Sequence, residues 1–321
     1  MVLIPTEIYR DFKNKKINKT TAYDLLTSII ENSENENIRL ESVIDLDKIG
    51  LINDKFFNFL ENLLVSDSNP KIRNAAAQFL KKNFLEKAIN PMKWAIKHEI
   101  DYECLITIYH SLEEISTPES KVILLNEIKK ITKIKYLNKE RKVDNKKYKN
   151  VIKKLLKTKK IDFFSNVDLT EILINFLTIT NLIKQYLNVY FELDPQNGSI
   201  NELDLSDYLE YEVKGTPFGW KNNIKSISEI KGLNNLTYLK KIDLSNNQIK
   251  GVKDLIQLQN LTHLILFNNK ISKKENLNYL KRLPKLEYLD LRGNDIANEI
   301  DLNEFDPKIR VLLKNSYIKI K

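Results

Sequence analysis

At 321 residues, with 42% apolar residues and a formal net charge of +9, the chain is long enough to bury two ordinary globular cores. No apolar run approaches the roughly 20 residues needed to span a bilayer, and the opening MVLIPTEIYRDFKNKK lacks the form of a signal peptide. A single cysteine, Cys104, excludes an intrachain disulfide, and the combination predicts a cytoplasmic protein. Lysine outnumbers arginine 45 to 7, which has the look of a codon-usage effect and weakens any argument from one lysine alone.

The first hundred residues carry an internal repeat. Ala22, Leu25, Leu26, Ile29 and Ile30 are matched by Phe56, Phe59, Leu60, Leu63 and Leu64. Ile38, Arg39, Val43 and Leu46 are matched at the same separation by Ile72, Arg73, Ala77 and Leu80. Spacings of i, i+3, i+4, i+7 and i+8 predict paired amphipathic helices. Between them lie polar loops such as ENSENEN and SDSNP, and Pro70 suits a first helical turn. The string NPKIRNAAAQFLKKNF resembles the second helix of a HEAT repeat, with Arg73 where that family often has arginine. The match is clear for two repeats and weaker after Asn90, where 91–115 can supply a third helix pair and 118–134 part of a fourth. An ordinary helical bundle is the other arrangement these helices allow.

Segment 129–160 holds 15 Lys/Arg against two acids, Glu140 and Asp144, a local net charge of +13; the remainder of the chain nets −4. Within it, KKYKNVIKKLLKTKK predicts a helix with a lysine-covered face, and Lys146, Lys147, Lys149, Lys153, Lys154 and Lys157 are candidate anion-binding residues. Three readings stay open: a solvated linker and helix face, a nucleic-acid contact through phosphates, or an anionic membrane or acidic protein surface. The scarcity of arginine counts against base-specific readout. The apolar stretch 162–193 predicts one or two helices, packed between two arrays or covering the first strand of the next one.

Three later segments superimpose: LTYLKKIDLSNNQI (236–249), LQNLTHLILFNNKI (258–271) and LPKLEYLDLRGNDI (283–296). Each reads L-x-x-L-x-x-[IL]-x-L-x-x-N-x-I. The step from Leu266 to Leu291 is slightly longer than that from Leu244 to Leu266. Alternation sends Ile242 and Leu244 inward and Asp243 outward, as in a short strand. Asn247, Asn269 and Asn294 suit tight turns, and their amides can bond free backbone groups. The pattern resembles the leucine-rich repeat family in its short class, which implies stacked parallel strands, stacked turn asparagines and a non-catalytic binding role. An earlier strand is expected at NGSINELDLS (197–206). Its step from Leu205 to Leu244 is too long for one short repeat, so 208–223 reads as an irregular repeat or insertion. After Ile296 the pattern breaks, and 307–314 is expected to form a short capping helix.

Chemistry is hard to place in this chain. There is no phosphate-binding or dinucleotide fingerprint and no G-x-S-x-G elbow. The histidines are His98, His110 and His263, and their spacing to Cys104 does not suit a metal; Cys104 reads as a small apolar core residue. No cofactor is expected. The outward strand positions are Glu202, Asp204 and Ser206; Lys241, Asp243 and Ser245; His263, Ile265 and Phe267; Tyr288, Asp290 and Arg292. Asp204, Asp243 and Asp290 form an acidic column interrupted by Ile265, beside an apolar and aromatic patch of His263, Ile265, Phe267 and Tyr288. That patch is either a partner-binding surface or a face covered by the chain's own tail or by 208–223 with Trp220.

The expected fold is therefore an α+β two-part solenoid, with an N-terminal HEAT-like α-α superhelix at 1–128, a basic helical connecting region and repeat cap at 129–195, and a leucine-rich repeat array with short parallel strands at 196–321. The expected function is a non-catalytic adaptor or scaffold with a protein partner on Lys241, Asp243, His263, Ile265, Phe267, Tyr288, Asp290 and Arg292. The alternatives are a nucleic-acid-associated protein using 129–160, or a regulatory subunit of a phosphatase or small GTPase.

Overall fold

The computed structural model describes residues 4–207 and 222–314. They form two compact units. The first runs to Asn126 and takes in Ser165–Thr170; the second comprises Glu127–Phe164 and the described residues from Glu171 onward.

The first unit is helical: α1 (Pro5–Lys13), α2 (Lys19–Asn32), α3 (Glu36–Ile49), α4 (Asp54–Ser66), α5 (Pro70–Phe84), α6 (Ile89–Ala95), α7 (Tyr102–Ile115) and most of α8 (Pro118–Ile131). Asparagines start four of these helices. Asn18, Asn35, Asn53 and Asn69 each accept a bond from an otherwise orphaned N–H of the first turn. Gly50 ends α3 in the left-handed region at φ 68°. Helix α2 packs on α3 and α4 on α5, while α3, α5 and α7 pack in succession. The repeated arginines join consecutive hairpins. Arg39 donates to the Ile30 carbonyl at 2.8 Å and ion-pairs with Asp67. Arg73 grips Glu99 with two bonds of 2.7 and 2.9 Å.

In the second unit the basic segment is folded. It forms a small antiparallel hairpin, β1 (Tyr136–Asn138) and β2 (Val143–Asp144), followed by α9 (Lys146–Lys157). Helix α9 buries Tyr148, Ile152 and Leu155. The apolar stretch becomes α10 (Asn166–Gln185) and β3 (Tyr190–Leu193). Strand β3 lies antiparallel to β4 (Ile200–Asp204), and β4 begins a parallel run through β5 (Lys241–Asp243), β6 (His263–Ile265), β7 (Tyr288–Asp290) and β8 (Arg310–Leu312). The returns between strands are 3-10 turns at Ile227–Glu229, Leu233–Asn235, Lys253–Gln257, Asp295–Asn298 and Leu302–Glu304, and the short helix α11 (Glu275–Leu280).

The end of the array at β3 and β4 is closed by α9 and the later turns of α10. The Tyr148 ring meets Phe176 at 5.1 Å and Phe191 at 5.5 Å, and the Ile200 N–H donates to Asn175 Oδ1 at 2.7 Å. Gly198, at φ 78°, sits where a Cβ would lie 3.3 Å from Ile172. At the other end, the helix expected over 307–314 is instead a turn at Pro307 and Lys308 followed by β8. Strand β7 would otherwise present a free edge, and pairing Leu291 N–H with the Leu312 carbonyl at 2.9 Å satisfies it.

The turn asparagines form a buried ladder. Asn269 Nδ2 donates to Leu266 in its own repeat at 3.0 Å and to Leu244 in the preceding one at 2.9 Å, while its Oδ1 accepts from Ile249 N–H at 3.0 Å. Asn247 and Asn294 repeat this arrangement. The tight-turn conformation expected of them falls one residue earlier, on Asn246, Asn268 and Gly293, at φ 60°, 52° and 74°. A further member was not foreseen. Asn222 Nδ2 donates to the Leu205 carbonyl at 3.0 Å and reaches Ser206 at 3.4 Å, the bonds that Asn247 makes within its own repeat. The irregular step from Leu205 to Leu244 thus consists of one repeat with 208–221 inserted just before its ladder asparagine.

Candidate protein-binding face

Register aligns the outward side chains in rows across the sheet. Glu192, Glu202, Lys241, His263, Tyr288 and Arg310 make one row. Tyr190, Asp204, Asp243, Ile265, Asp290 and Leu312 make the next. The acids of the first row meet cations: Lys241 Nζ lies 3.2 Å from Glu202, and Lys147 Nζ reaches Glu192 at 2.6 Å from α9. Burial works against the Glu192 carboxylate, but Lys147 and the Tyr190 hydroxyl hold its pKa below the usual value.

In the second row Asp204 and Asp243 stand directly opposite one another on neighbouring strands. Among the described residues neither has a cation within ion-pair distance. Asp243 is held by the Ser245 N–H and hydroxyl at 2.8 and 2.5 Å, and Asp204 by the Ser206 N–H at 2.8 Å. Burial, with the neighbouring Asp204 charge, raises the Asp243 pKa above its ordinary value, although the Ser245 bonds oppose this. The two carboxylates share a shallow pocket of ≈ 130 Å³ with Tyr190, Glu202, Leu203, Lys241 and Ile265.

Beyond Ile265 the face turns aromatic and cationic. His263 stacks on Tyr288 with ring centres 5.6 Å apart and planes 19° apart. The Arg310 guanidinium lies 5.9 Å from the Tyr288 ring and that of Arg292 lies 5.4 Å from Phe267. Such contacts hold aromatic side chains half-buried at a solvent face without burying them in the core. His263, Ile265, Phe267 and Tyr288 are all half-buried.

Three expectations are corrected. Asp290 is 2% exposed, because the Arg292 guanidinium folds back on it with Nε at 3.0 Å from Oδ1 and Nη2 at 2.6 Å from Oδ2. The acidic column is therefore the pair Asp204 and Asp243 alone. Ser206 and Ser245 are buried rather than outward. Lys147 is no free cation: it bonds Glu192 and the Phe191 carbonyl and lies 3.7 Å from the Tyr190 ring. Of the remaining candidate lysines of α9, Lys146, Lys153, Lys154 and Lys157 are exposed and Lys149 is half-buried. Residues the sequence did not offer are Tyr190 and Glu192, brought in by the antiparallel pairing of β3, and Arg310, brought in by β8. The alternation of Phe191 and Leu193 inward is the one signal that points to β3. Of the covers the sequence suggests, residues 208–221 of the segment 208–223, Trp220 among them, and the tail after 314 lie outside the described residues.

Residues 235–252 and 282–300 match the family model of the leucine-rich repeat. The second unit contains leucine-rich repeats. Repeats of this kind commonly mediate protein–protein contacts and are typically non-catalytic. No curated protein matches the chain. No helix among the described residues is long and apolar enough to cross a membrane.

Proposed function

We propose that this protein is a non-catalytic adaptor that holds a protein partner on the outward face of its leucine-rich repeat sheet. The observation that carries the reading is the juxtaposition of Ile265, Phe267 and Tyr288, half-buried on the solvent side, with the unmatched carboxylates of Asp204 and Asp243. Aromatic anchors beside unpaired charge are what an interface hot spot needs: apolar area to desolvate and a polar group to set register. The helical hairpins of the first unit, with Arg39 and Arg73 at equivalent repeat positions, read as a HEAT-like solenoid, which would supply a second non-catalytic binding surface.

The test is the double substitution Phe267→Ala with Tyr288→Ala in the full chain. Affinity purification from the source cell followed by mass spectrometry identifies the partner of the intact protein. The variant is expected to lose that partner at least tenfold while its melting temperature falls by no more than about 4 °C, the shift that ~1 kcal/mol produces. A large fall in melting temperature with the partner retained would mean that the rings are core, not interface.

A further inference from the structure

We propose that the exposed face of α9 is a docking surface for duplex DNA, held through its phosphates without base readout. The segment from 129 to 160 carries a net charge of +13 in a chain whose remainder nets −4. Helix α9 contains six lysines and no acid. Lys146, Lys149, Lys153 and Lys157 step by three, four and four positions, so they line one stripe about 16 Å long at roughly 1.5 Å of rise per position. Like charges at these spacings destabilise a helix.

Helix α5 shows what neighbouring acids can do for a helix of the same kind. It also lacks acids, yet three of its four cations are met from neighbouring elements: Lys81 by Glu114, Lys82 by Asp47 and Arg73 by Glu99, with Lys71 left over. On α9 only Lys147 is met in this way among the described residues. The stripe is therefore positive charge that the described residues do not neutralise.

The chemistry of the helix selects the partner. A membrane-surface helix inserts its apolar face, but α9 has spent that face on the core, with Tyr148, Ile152 and Leu155 buried. Lysines present point charges rather than the guanidinium fork used to read bases. A row of unneutralised lysines suits duplex DNA, which carries one negative charge per about 1.7 Å of axis and binds by releasing counterions.

Fluorescence anisotropy with a labelled random duplex of about 24 base pairs tests this on the full chain. Four neutralised phosphates give a slope of log affinity against log salt of about −4. The variant Lys149→Gln with Lys153→Gln and Lys157→Gln is expected to flatten the slope to about −1 and to weaken binding at least tenfold at ~50 mM salt. The matching triple Lys→Arg variant keeps binding within about threefold, since it keeps the charge. Lys153→Gln alone, at an exposed position, lowers the slope by about 1 and serves if the triple variant is unstable. Phe267→Ala with Tyr288→Ala leaves DNA binding unchanged, which separates this surface from the partner face. Absence of binding at ~50 mM salt overturns the proposal. So does binding that survives the glutamine variants, or equal or tighter binding to duplex RNA, to phosphatidylserine vesicles or to polyglutamate.

Discussion

Asn269 illustrates how much of this protein rests on single polar side chains placed where water cannot follow. It is 2% exposed, and its amide serves both its own repeat and the one before it. Truncation strands the Ile249 N–H inside the array, while the Leu244 and Leu266 carbonyls each keep one bond, from Asn247 and Asn294. Each buried group left without a partner costs about 1–3 kcal/mol. Asn269→Ala is expected to lower the unfolding free energy of the repeat unit by about 2 kcal/mol, read as a shift of the urea midpoint. A loss below about 1 kcal/mol would show that water replaces the amide. The same logic explains Asp290: its carboxylate is buried only because Arg292, two positions on, supplies a bidentate partner.

At the scale of elements, charge joins one helical hairpin to the next. Burial works against the Glu99 carboxylate, but the Arg73 fork and the backbone N–H groups of Ile100 and Asp101 outweigh it, holding its pKa at about 2 rather than 4.5. The folded value lies below the unfolded one, so the stabilisation is fully present above 4.5 and is lost as pH falls toward about 2. The shift corresponds to about 3 kcal/mol at neutral pH. Glu99→Gln is therefore expected to destabilise the first unit by about that amount at pH 7, with the difference from wild type shrinking between pH 4.5 and about 2. Urea midpoints of both proteins across that range decide it. A difference that does not change with pH would assign the role of Glu99 to packing.

For the repeat unit as a whole, continuity of the ladder matters more than continuity of the chain. Asn222 takes the ladder position that follows Leu205, so the ladder continues on the far side of 208–221. Deleting 208–221 leaves a step from Leu205 to Leu244 as long as the one from Leu266 to Leu291. The shortened protein is expected to melt within about 4 °C of the parent, a change of ~1 kcal/mol. Collapse of the melting transition would show that the inserted residues are part of the core. At the same scale, β8 continues the sheet past the last recognisable repeat and carries Arg310 to the Tyr288 ring.

What repeats in this protein is legible in residue order: the inward Ile and Leu of β5, β6 and β7, the ladder asparagines, and the equivalent positions of Arg39 and Arg73. Periodicity of two, of 3.6 and of whole repeats is a local property, set by backbone geometry, so it is written directly along the chain. What does not repeat was settled by the fold. Asn222 joins the ladder across a gap that spacing alone reads as an irregular step, Asp290 is buried through its pairing with Arg292, and Tyr190 and Arg310 reach the outward face through strands with no repeat signature. Each depends on which groups meet in space, and hydrogen-bond and charge satisfaction act between neighbours in the fold rather than along the chain. The lysines of α9 show the same division: the sequence counted them, and packing decided which one is neutralised and which remain at the surface.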